Sequence, residues 1–117
     1  MPSLAEKQRL FSRLLAGLII KIYDDGYECT LGEVWRPDFT AQYYSEIGLG
    51  IVNSLHGLKL AADINLFKNG EYLSDTASHE PFGTWWKTLH PACRWGGVFF
   101  HRPDGNHYSV TPDGIRA

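Results

Sequence analysis

Ser54-Leu55-His56-Gly57-Leu58-Lys59-Leu60-Ala61-Ala62-Asp63 joins an imidazole to a carboxylate across six intervening residues. That spacing limits how the segment can fold. As one continuous strand it would span roughly 23 Å and send His56 and Asp63 to opposite faces. Bonds to a zinc ion are about 2.0–2.2 Å long, so two ligands of one ion need the chain between them to bend. Gly57 is the expected turn. From Leu60 onward the residues alternate: Leu60, Ala62, Ile64 and Leu66 against Ala61, Asp63, Asn65 and Phe67. This predicts a strand with Asp63 on its more polar face.

A third metal-ligand candidate is His107, with Asp104 three residues before it. Two ligands close in sequence and one distant is a common way to build a three-ligand catalytic zinc site with an open fourth position. Each residue has a plainer reading. A His and an Asp seven apart occur by chance, Pro103-Asp104-Gly105 is ordinary turn chemistry, and Arg36 could form a surface ion pair of little consequence. His79, His90 and His101 show no special spacing and read as bystanders.

The remaining chain sets the frame. One domain is the prior for 117 residues, and 44% hydrophobic with 14% aromatic content describes a globular protein with a real core. A net charge of −2 gives no reason to expect nucleic acid or an anionic membrane as partner. Two cysteines, Cys29 and Cys93, exclude a C-x-x-C zinc ribbon. No apolar run reaches the roughly 18–20 residues needed to span a bilayer. Leu14 to Ile20, between Arg13 and Lys21, reads as part of an amphipathic helix rather than a signal peptide.

In chain order, Ser3 and Glu6 have capping-box spacing, and Leu10, Phe11, Leu14, Leu15, Leu18, Ile19 and Ile22 form the apolar stripe of a helix ending at Asp24-Asp25-Gly26. Tyr27 to Trp35 predicts a strand, and Pro37 to Gly48 a short helix. Asn69-Gly70 predicts a hairpin turn after the Leu60 strand, with Tyr72-Leu73 returning. Ser74 to Glu80 reads as polar loop and Phe82 to Leu89 as a helix. Val98-Phe99-Phe100 and His107 to Val110 read as two strands around the Pro103–Asn106 turn. The class is α+β, a small antiparallel sheet with flanking helices. The four tryptophans read as core, although Trp95-Gly96-Gly97 could bring an indole to a cleft.

Taken together, Ser54-Leu55-His56-Gly57, Ala61-Ala62-Asp63-Ile64, Trp95-Gly96-Gly97 and Asp104-Gly105-Asn106-His107-Tyr108 resemble the zinc D-alanyl-D-alanine carboxypeptidase and L-alanyl-D-glutamate endopeptidase family, the VanY-like group that includes phage endolysins. Glu33-Val34-Trp35-Arg36-Pro37, with Gln42, resembles its arginine and glutamine signature, and the resemblance covers about residues 27 to 110. It implies the hedgehog/DD-peptidase-like zinc peptidase fold, as a single catalytic domain over residues 1–117. It implies one zinc ion per chain held by His56, Asp63 and His107, Asp104 as general base, and Arg36 at the oxyanion. Ser54, Gln42 and Trp95 would contact substrate.

The implied activity is hydrolysis of an amide in the peptidoglycan stem peptide, with L-Ala–D-Glu first and D-Ala–D-Ala second. A non-catalytic zinc-binding virion module is the rival class. Neither nucleic acid nor stable membrane association is implied. The lytic members are made in the host cytoplasm without a signal peptide and reach the wall after holin-type release.

Overall fold

A computed structural model describes residues 3–35, 58–99 and 103–111. The expected helix over Pro37–Gly48, the expected turn at Gly57, and His101 lie outside these residues.

Helix α1 (Leu4–Asp24) starts as its sequence predicts, with both reciprocal bonds of the Ser3–Glu6 capping box. It ends in a Schellman pair, the Tyr27 amide on the Ile22 carbonyl and the Gly26 amide on the Tyr23 carbonyl. Phe11, Leu18 and Ile22 are buried along its inner stripe. Strand β1 (Glu28–Leu31) is shorter than the predicted Tyr27–Trp35, because the regular register ends at Leu31 and the next two residues, Gly32 and Glu33, both bond to Asp63.

Strand β2 (Ala61–Lys68) is the hub of a five-stranded sheet. Lys59, just before it, takes φ of 58°, so the chain turns as it enters the strand. All four alternating residues Leu60, Ala62, Ile64 and Leu66 are fully buried. Asn69 and Gly70 take φ of 52° and 78°, the doubly positive turn that returns the chain into β3 (Glu71–Leu73). Phe67 pairs with both Glu28 of β1 and Tyr72 of β3, so those strands flank opposite edges of β2.

Helix α2 (Thr76–Leu89) begins well before the predicted Phe82. Residues 76–80, expected as loop, are helical because the Asp75 carboxylate caps the Ser78 amide. Pro81 inside the helix removes one donor without ending it. His79, polar on paper, is buried, with Nδ1 2.9 Å from the Tyr108 hydroxyl.

The last two strands are β4 (Cys93–Trp95) and β5 (His107–Val110). The first lies upstream of the predicted Val98–Phe100, and Gly96–Val98 is instead a 3-10 turn. β5 lies beside Ala61–Asp63 of β2, and β4 is its outer neighbour.

Among the described residues every strand pairing is antiparallel, and α1 and α2 contribute to one core, which confirms the α+β class. Trp86 stands at its centre, edge-on to Phe11 and Tyr108, its indole N–H shared between the Arg94 and Ser109 carbonyls. Cys29 and Cys93 are both free thiols, and burial raises each, Cys93 to about 11.

Burial holds the His79 imidazole below its ordinary value of 6.5, only partly offset by the nearby Asp75 charge. The neutral ring is the folded form, so the unfolded chain takes up the proton first as pH falls. Its share of stability is complete above about pH 6.5 and is lost below it. Thermal unfolding should therefore move to lower temperature as pH drops through about 6.5. His79→Gln should make that slope shallower.

Candidate metal centre

Asp63 is placed by its backbone. Its amide donates to the Glu33 carbonyl at 2.9 Å, and its carbonyl accepts from the Gly32 amide at 2.8 Å. Both main-chain groups thus point to the β1 edge. Toward β5, where Asp63 lies opposite His107, the two residues form a non-hydrogen-bonded pair. In such pairs the Cα atoms approach to about 4.5 Å and the side chains are closest. His107 Nδ1 lies 3.8 Å from Asp63 Oδ1.

Asp104 joins them through a tight turn. The His107 amide donates to the Asp104 carbonyl, 3.1 Å, and the Asp104 amide to the Gly96 carbonyl, 2.9 Å. One oxygen or nitrogen from each of Asp63, Asp104 and His107 falls within a 4.8 Å cluster. His107 is buried, Asp63 half-buried and Asp104 exposed. The centre is therefore open on the Asp104 side.

The donor set fits a divalent cation. Two carboxylates this close repel each other, and a bound cation reverses that cost. Tetrahedral ligands at zinc bond lengths sit roughly 3.4 Å apart, near the 3.8 Å between His107 Nδ1 and Asp63 Oδ1. Coordination through Nδ1 would leave the imidazole proton on Nε2.

The loop carrying Asp104 and His107 is clamped from two sides. The Trp95 indole N–H donates to the Gly105 carbonyl at 2.7 Å, and the Gly105 amide to Thr76 Oγ1 at 3.3 Å. A Cβ on Gly105 would sit 2.5 Å from Thr76 Cα, and one on Gly96 would run into the Asp104 carbonyl. Only residues without side chains allow this approach. Across the site, the Phe99 ring lies 5.4 Å from the His107 ring.

Of the residues singled out in the sequence, Asp63, Asp104 and His107 are brought together. His56, Arg36, Ser54 and Gln42 lie outside the described residues. Trp95 is 4% exposed and pairs with Tyr108, on the sheet face opposite to Asp63 and His107. It touches the loop that holds the site. Thr76 and Gly96 were not foreseen. Gly96 belongs to a noted motif, but the packing that requires it comes from residues eight and eleven positions away.

Zinc at a hundredfold excess over its dissociation constant should stabilise the protein by about 2.7 kcal/mol, read as a shift in thermal unfolding that chelator reverses. His107→Ala and Asp63→Ala should each abolish the shift. Gly105→Ala should cost about 1–3 kcal/mol in denaturant unfolding, because the added methyl is forced against helix backbone.

No protein-family model matches the chain, and no curated protein matches it. Among solved structures it is similar to the Serratia marcescens L-Ala D-Glu endopeptidase ChiX, with a TM-score of 0.74 and 15% identity over 86% of this chain and 77% of that one. The α+β sheet that pairs Asp63 with His107 is therefore the fold of that peptidase.

Proposed function

We propose that the protein is a zinc-dependent peptidase that hydrolyses the L-Ala–D-Glu bond of the peptidoglycan stem peptide. The observation that carries this is the convergence of Asp63, Asp104 and His107 in the fold of an L-Ala D-Glu endopeptidase. In this reading Asp63 and His107, with His56, hold one zinc ion per chain. When bound, the ion supplies Lewis acidity toward the scissile carbonyl and toward water.

Asp104 differs from its two neighbours in being exposed, which suits a group that meets substrate. Its carboxylate takes a proton from the attacking water and returns it to the leaving amine nitrogen. The water oxygen joins the carbonyl carbon as the C–N bond breaks, so one water is consumed per bond. Arg36 is assigned to the developing oxyanion, where a guanidinium is worth most once water is excluded. Ser54 and Gln42 are assigned to substrate. Trp95 holds the Asp104 turn through the Gly105 carbonyl.

The test is hydrolysis of purified peptidoglycan by wild type and by Asp104→Asn, followed by mass analysis of the fragments. Asp104→Asn should retain zinc and lose about 10²–10⁴-fold in rate, the usual worth of a positioned acid–base group. Cleavage at D-Ala–D-Ala would replace the proposed bond with the carboxypeptidase reaction. Zinc bound with no fragments from wild type would leave a non-catalytic module.

A further inference from the structure

The face of the sheet that carries Asp63 and His107 continues beyond them. Alternation along β2 puts Asn65 and Phe67 on the same side as Asp63. Register adds Thr30 and Glu28 from β1 and Tyr72 from β3. Asn65 donates to the Thr30 hydroxyl at 3.2 Å. Phe67 and Tyr72 form a tilted ring pair with centroids 5.3 Å apart, and Tyr72 is 53% exposed. Among the described residues the second helix packs on the other face, Trp86 against Tyr108, and neither Phe67 nor Tyr72 belongs to the core cluster.

We propose that the Phe67–Tyr72 pair is a saccharide platform that receives the glycan to which the stem peptide is attached. Four residues of strand put Phe67 about 13 Å from Asp63. The peptide's first residue is amide-linked to the lactyl group of a sugar. Two extended residue lengths, about 7 Å, therefore separate the L-Ala carbonyl from that ring, and the glycan runs on from there. A pyranose offers one apolar C–H face and a rim of hydroxyls. The platform has the complement: two ring faces, bordered by the Asn65 amide, the Thr30 hydroxyl and the Glu28 carboxylate. Glu28 is the one charge among these five residues, which suits a neutral sugar better than a polyanion.

This inference rests on the proposed cleavage of glycan-linked peptide, and its test separates the two. The probes are the N-acetylglucosaminyl–N-acetylmuramyl disaccharide, its stem-peptide conjugate, and the same peptide without sugar. The variants are Tyr72→Val, which keeps a strand-forming residue, and Tyr72→Phe, which keeps the ring. Disaccharide should shift the backbone NMR signals of residues 65–73 in wild type and Tyr72→Phe, and not in Tyr72→Val. Tyr72→Val should raise KM for the conjugate about fivefold and leave the free peptide unchanged. An equal effect on both substrates would make the ring pair only a hairpin brace and overturn the proposal. So would failure of wild type to bind disaccharide while still cleaving the conjugate. Disaccharide binding without cleavage of either substrate would uphold the platform and overturn the peptidase reading.

Discussion

The arrangement depends on the commitment of Asp63's main chain to one edge of its strand. With its carbonyl accepting from Gly32 and its amide donating to Glu33, Asp63 faces β5 only through its side chain. His107 is therefore its narrow-pair neighbour rather than a hydrogen-bonded one. The strand's two-residue period does the rest, since the step that buries Ala62 and Ile64 also turns Asp63 outward. A carboxylate and an imidazole therefore meet on the face opposite Ala62 and Ile64. Core formation and site formation follow from the same alternation.

Features that are local in sequence were legible there. The Ser3–Glu6 box, the Asn69-Gly70 turn and the β2 alternation involve residues a few positions apart, and their chemistry is specific. The Asp104–His107 turn was legible for the same reason. The first half of α2 was not. Thr76 to Pro81 is polar and contains a proline, and its helix depends on the Asp75 cap and on burial of His79 against Tyr108, twenty-nine residues away. β4 was hidden because it is short and is defined by its partner, β5. The support given by Trp95, Gly96 and Thr76 depends on tertiary approach, which no spacing rule encodes.

The candidate centre joins two kinds of support. Asp63 and His107 sit on neighbouring strands, fixed by sheet hydrogen bonds and backed by the core. Asp104 sits on a turn whose position relative to them is set by Gly96, by the Trp95 indole and by the start of α2. The Asp63–His107 pair and the exposed Asp104 carboxylate are thus parts of one candidate site with separate foundations.

Those foundations differ in how readily they open. The proline at position 81 has no amide hydrogen to offer the Ala77 carbonyl, so the first turn of α2 has one backbone bond fewer and leans more on its Asp75 cap. That turn supplies the Thr76 hydroxyl against which the Asp104 loop is docked. Fraying there would loosen Asp104 while the paired strands stay closed, an opening well below the free energy of global unfolding. On warming, the loop that carries Asp104 would part from Asp63 and His107 before the strands that hold those two come apart.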